Sequence, residues 1–154
     1  MVGRQKEVSC MGRFVNPDNS AFQVILNSDI YVDKTELLAY TNKALNTDRA
    51  MICNSRPRRF GKSITANMLA AYYSRGCDSD DMFADLAISR TENYKKHLNK
   101  YDVIHLDIQW CSMDAGSPRQ TVTYINTNVI RELKETYPDY IPDSATTVYG
   151  ALSY

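Results

Sequence analysis

The sequence carries no net charge, because its 18 Lys and Arg residues are balanced by 18 Asp and Glu. That balance excludes a coat for nucleic-acid backbone and a binder of membrane surfaces, so any electrostatic signal has to be local. No stretch approaches the roughly 18 apolar residues that a membrane span requires, and MVGRQKEVSC at the start lacks the apolar core of a secretory leader. The expectation is a soluble, cytoplasmic chain with no membrane partner. The four cysteines, Cys10, Cys53, Cys77 and Cys111, form no CxxC pair and have no histidine at ligand spacing. Neither a zinc site nor a disulfide framework is indicated, and reduced, structural thiols are expected. His97 and His105 are isolated, the first expected to face solvent on a helix and the second to flank a strand. There is no internal repeat, low-complexity tract or interdomain linker.

What is present suits one globular domain with a real core: 154 residues, 44% apolar and 23% charged. Residues up to about 20 hold GRFVNPDNS, which reads as an irregular lead-in lying against the domain. Asp33 and Thr35 are good helix starters, and Leu37, Leu38, Thr41 and Leu45 recur at helical spacing, so a helix is expected over 35–45. The run RAMICNS, 49–55, is short, apolar and closed by a Pro/Arg-rich loop, as a buried parallel strand would be. KSITANMLAAYYS then places Ile64, Met68, Leu69, Tyr72 and Tyr73 on one helix face, with Gly76 to end it. DMFADL and TENYKKHLNK read as two short helices. YDVIHLDIQW, 101–110, reads as a second strand. Ser117 and Pro118 open a helix carrying Val122, Ile125, Val129 and Leu133, which Pro138 stops, and a last helix starts near Ser144. Strand, helix, connection, strand, helix is the grammar of a covered parallel sheet. Two strands are too few for a complete sheet, so further strands are expected beyond Tyr154; the alternative is a small α+β domain completed by pairing.

Between the first strand and its helix lies SRPRRFGKS, 55–63. The Walker A pattern GxxxxGKS/T cradles phosphate oxygens on backbone N–H groups, its lysine reaches the β- and γ-phosphates, and its hydroxyl ligates Mg²⁺. Gly61, Lys62 and Ser63 stand in place, followed by Ile64. Arg56 stands where the first glycine belongs, followed by Pro57, Arg58, Arg59 and Phe60, so a differently shaped loop is expected. A lone GKS/T arises by accident roughly one time in thirteen in such a chain, and it is the placement at a strand-to-helix junction that discriminates. Arg56, Arg58 and Arg59 are read either as a solvated basic turn, as bidentate phosphate ligands, or as a nucleic-acid contact.

These residues resemble the predicted AAA-ATPase-like proteins of bacteria and archaea, whose members carry YVDKT upstream of a loop of the form SRPRRFGKS. Here those segments are 31–35 and 55–63, and the likeness continues through NMLAAYY at 67–73 and YDVIHLDI at 101–108. The resemblance implies an α/β fold of P-loop NTPase type, a three-layer αβα sandwich with a parallel sheet, incomplete at the C-terminus. It divides the chain into a lead-in and helix, 1–48, and the start of the nucleotide-binding core, 49–154. It implies ATP with Mg²⁺, Lys62 on the β/γ-phosphates, Ser63 on the metal, and Arg56 as the family's own substitution. Longer members carry an acidic pair like LIDEYD and a restriction-endonuclease-like nuclease domain as effector; neither lies within these residues.

Asp107, closing the run VIHLD, imitates a Walker B aspartate, but Ile108 rather than glutamate follows it, and an earlier sheet strand is the preferred reading. Asp33 and Lys34 are read as a helix cap and a solvated lysine. The tyrosines, Tyr72 and Tyr73 among them, are read as core and rim. With no strong candidate to activate water, nucleotide binding without efficient turnover is expected. The competing reading is a non-hydrolysing module whose Arg-rich loop docks nucleic acid or a protein partner. An open sheet edge would favour self-association.

Overall fold

In the computed structural model, which describes residues 12–55 and 57–153, eight α-helices follow one another: α1 Ser20–Leu26, α2 Glu36–Ala44, α3 Lys62–Tyr73, α4 Asp80–Phe83, α5 Tyr94–His97, α6 Ile108–Asp114, α7 Thr121–Thr136 and α8 Val148–Leu152. Short 3-10 turns stand before α5, at Ala87–Arg90, and before α7, at Pro118–Gln120.

The expected αβα sandwich is overturned. Among the described residues there is no strand, and the β-type pairing there consists of two isolated bridges, antiparallel Val15 with Ile104 and parallel Ser74 with Tyr101. A strand exists only where a neighbour takes its N–H and C=O groups. The run 49–55 has no such neighbour among the described residues, and its apolar side chains face water, Met51 being 99% and Ile52 42% exposed. The second expected strand makes its bridges at Tyr101 and Ile104 and then turns into α6 at Ile108. Asp107 causes that turn: its carboxylate accepts the Trp110 N–H at 3.0 Å, a side-chain N-cap.

The core has two parts. The first gathers Phe22, Leu38, Met68, Tyr72, Phe83 and Ile88 from α1, α2, α3, α4 and the turn at Ala87–Arg90. Phe22 stacks on Phe83 at 5.2 Å between ring centroids, and Tyr72 meets Phe83 edge-on at 5.4 Å. Beneath it, the hydroxyl of Tyr72 accepts from Asn42 Nδ2 at 3.0 Å and donates to the Tyr94 carbonyl at 2.8 Å, while Tyr73 Oη donates to Asn42 Oδ1 at 2.7 Å. These bonds tie α3 to α2 and to α5, and burial pushes the Tyr73 phenol up to about 12. The second part gathers Phe14, Val15, Cys111, Val129, Leu133 and Ala151 around α7. The lead-in lies against it through Glu132, whose carboxylate accepts the N–H groups of Arg13, Phe14 and Val15.

Helices α2, α3 and α7 fall where periodicity predicts them. Helix α1 is not among the helices expected from the sequence, and its Phe22 is fully buried. His97, expected in solvent, is 7% exposed and its Nδ1 lies 2.6 Å from the Tyr101 hydroxyl. Cys53 and Cys111 are free thiols, whereas Cys77 is disulfide-bonded, against the expectation of reduced thiols. Cys10 and Arg56 lie outside the described residues. Among the described residues no helix is long and apolar enough to cross a membrane.

Candidate functional site

Helix α3 starts at Lys62 because Gly61, its N-cap, adopts φ 79° and ψ 28°. That left-handed conformation costs little only for glycine. The Gly61 carbonyl accepts both the N–H of Thr65 at 2.9 Å and its hydroxyl at 3.1 Å, which fixes the first turn. A helix start leaves its first N–H groups without internal acceptors, and Gly61 has no side chain to cap them. The positive end of a 12-residue helix therefore opens onto the loop.

The loop is shaped by a second left-handed residue. Arg59 has φ 67°, so two left-handed residues flank Phe60 and turn the chain outward, leaving the Phe60 ring 59% exposed. Lys62 Nζ donates to the Pro57 carbonyl at 3.3 Å, closing the loop on itself. Pro57, Arg58, Arg59, Lys62, Ser63 and Ile64 are all exposed. Gly61, Lys62 and Ser63 thus stand in succession at a helix start, with arginines at the loop's tip. Its first arginine, Arg56, is outside the described residues.

Segment 31–35 does more than start a helix. Asp33 accepts the Thr35 N–H at 2.8 Å with one oxygen and the Ala87 N–H at 2.7 Å with the other, and the Thr35 hydroxyl accepts the Ile88 N–H at 3.1 Å. Partial burial raises the Asp33 carboxyl's pKa, but the N–H bonds from Ala87 and Thr35 outweigh that and hold it below the usual carboxylate value. So anchored, the segment sends Lys34 to the loop: Nζ lies 3.4 Å from the Phe60 carbonyl oxygen. The spacing of the sequence carries no signal for this contact; its one trace is that YVDKT and SRPRRFGKS occur together.

Between the two segments is a cavity of about 360 Å³ lined by Tyr31, Val32, Lys34, Phe60, Ile64 and Met68 among others. Asp107 is not among its lining residues. It caps α6 and borders a smaller pocket with Arg13, Phe14, His105, Trp110 and Cys111. Among the described residues no cluster of His, Cys, Asp and Glu could hold a metal ion by itself.

A glycine-capped helix start followed by lysine and serine, under a basic loop, is the arrangement of an anion site suited to phosphate. Comparison places the chain within a family: a family described as predicted AAA-ATPase matches it over residues 19–152, and the chain belongs to that family. Membership points to nucleotide binding in general. No curated protein and no solved structure matches the chain.

Proposed function

We propose that the chain binds the phosphates of a nucleoside triphosphate, ATP foremost, at its variant Walker A loop and the start of α3, as part of a switch module that reports nucleotide state to an effector. The observation that carries this reading is Gly61, which at φ 79° ends the loop and opens a 12-residue helix with Lys62 and Ser63 next in line. The residues fit a polyphosphate: N–H groups uncapped by the preceding residue, the ammonium groups of Lys62 and Lys34, and exposed guanidiniums on Arg58 and Arg59 able to bind oxygens in pairs. Ser63 supplies one hydroxyl for a Mg²⁺ bound with the nucleotide, whose charge would offset that of the phosphates. Binding without efficient turnover is part of this reading: Asp107, which imitates a Walker B aspartate in sequence, caps α6 and does not line the cavity beside the loop.

Titration calorimetry of the intact chain with Mg-ATP tests the reading. The expected result is saturable binding that Lys62→Ala weakens by about tenfold or more, the scale of a lost charge-assisted bond. Equal affinity in both proteins would sink it. ATP hydrolysis abolished by both Lys62→Ala and Asp107→Ala would instead promote Asp107 to the metal site. A steep salt dependence of DNA binding, relieved in the Arg58→Ala, Arg59→Ala double variant and without nucleotide affinity, would favour a nucleic-acid docking loop.

A further inference from the structure

We infer that the cavity between segment 28–34 and the Gly61–Met68 face of α3 is the seat of the base and ribose of the bound nucleotide. The inference rests on the phosphate reading above and names the rest of the ligand.

Its floor is a single stripe of α3. Gly61, Ile64, Thr65 and Met68 succeed one another at the i, i+3, i+4, i+7 positions of one helix face, and all four line the cavity. The stripe begins at the residue that opens the phosphate site; Ile64, 40% exposed, is its accessible part, and Thr65 and Met68, buried at 8% and 1%, close the bottom of the groove. A ligand whose phosphates meet the N-terminus of α3 and whose remainder lies along that stripe stays in one continuous groove.

The opposite wall is Ile30, Tyr31, Val32 and Lys34. This wall is tethered by the Asp33 bonds to Thr35 and Ala87, and Lys34 reaches from it to the loop. The lining is apolar and aromatic, with Ser28, Lys34, Arg59 and Thr65 as its polar members. At about 360 Å³ the cavity lies in the range that holds small ligands. Apolar groups that should be covered are not: Ile30 is 86%, Val32 65% and Phe60 59% exposed, all three at this cavity. A flat, weakly polar base covers such surfaces, and the cations Lys34 and Arg59, which also line the cavity, match the polyphosphate that leads from it. The charge pattern selects an anionic ligand with an apolar body, which a nucleoside triphosphate is and inorganic polyphosphate is not.

Separate ligands separate the two claims. Calorimetry of the intact chain would compare ATP with inorganic tripolyphosphate, which has no base or ribose, on wild type, Ile30→Asp, Val32→Ser and Lys62→Ala. Because Ile30 and Val32 are largely exposed, these two substitutions should leave folding intact, and tripolyphosphate binding serves as the control. Expected is at least a tenfold preference for ATP in wild type, lost in Ile30→Asp and Val32→Ser while tripolyphosphate affinity is kept, and weakening of both ligands in Lys62→Ala. Photolabelling with 8-azido-ATP should mark peptides containing 28–34 or 60–68. Equal affinity for ATP and tripolyphosphate would overturn the base site and leave the phosphate site standing, as would an ATP preference that survives both substitutions or a label placed elsewhere. No binding of either ligand would remove the phosphate reading, and this inference with it.

Discussion

Lys34 Nζ lies 3.4 Å from the carbonyl oxygen of Phe60. The contact joins two segments 26 residues apart in sequence, each held by bonds of its own. Asp33 and Thr35 grip the 3-10 turn at Ala87–Arg90 on one side, and the Gly61 carbonyl fixes the first turn of α3 on the other. Lys34 therefore carries its charge to the loop before α3 from outside that loop, where the Walker pattern predicts nothing.

Replacing that ammonium should weaken nucleotide without unfolding the chain. Lys34→Met is expected to reduce affinity for ATP and for tripolyphosphate alike by about three- to tenfold, since an exposed charge contact is worth little more than 1 kcal/mol. Lys34→Arg should recover part of it. Calorimetry at two salt concentrations checks this, and a Lys34→Met protein with wild-type affinity for tripolyphosphate would show that the lysine has no part in the site.

Gly61 is the position where the loop tolerates no side chain. An added Cβ would stand 3.3 Å from Lys34 Nζ, and the left-handed backbone costs an L-residue about 1–2 kcal/mol. Gly61→Ala should lower the unfolding free energy by that amount and also displace Lys34, so denaturant melts and ATP titrations should both shift. A Gly61→Ala protein of unchanged stability would mean that the backbone there relaxes to negative φ.

The helices were legible, whereas the expected sheet is absent among the described residues, for a physical reason. The stripes of α2, α3 and α7 are local properties, set by residues within a few turns of each other. Whether 49–55 becomes a strand depends on partners far away in sequence, and apolar content alone cannot supply them. Segment 101–110 shows the same limit from another side: its apolar alternation ran on through Trp110, yet one capping bond from Asp107 turned the second half into α6. At the site, the order of Gly61, Lys62 and Ser63 was readable because a helix start is defined by adjacent residues. The reach of Lys34 to Phe60 and the cavity beside it were not, because they arise from the meeting of α1, segment 28–34 and α3.

Stability should fall in mild acid through His97. Burial lowers its pKa from the ordinary 6.5, with the charge of Lys96 adding to the effect. A histidine depressed in the folded state stabilises the fold fully above 6.5, and that contribution is lost as pH falls through its lower folded value. The unfolding free energy, measured by denaturant between neutral pH and about pH 5, should decline, and His97→Gln should flatten the decline while losing the contact with Tyr101. An identical pH profile in the variant would assign the effect to other groups.

Glu132 should be the most costly acidic residue to replace. It is 8% exposed, and its two oxygens accept three N–H groups, from Arg13 at 3.2 Å, Phe14 at 2.8 Å and Val15 at 2.9 Å. Those bonds fasten the lead-in to α7 and place Val15 for its bridge to Ile104. Glu132→Gln turns one acceptor oxygen into a donor facing an N–H, and should cost about 1–3 kcal/mol. Glu132→Ala leaves all three N–H groups unsatisfied and should cost more. Hydrogen exchange distinguishes this anchor from a general loss of packing: the amides of 13–15 should lose protection first, while those of α2 and α3, which belong to the other part of the core, should keep theirs. Uniform loss across both parts would mean that Glu132 supports the whole fold rather than the lead-in.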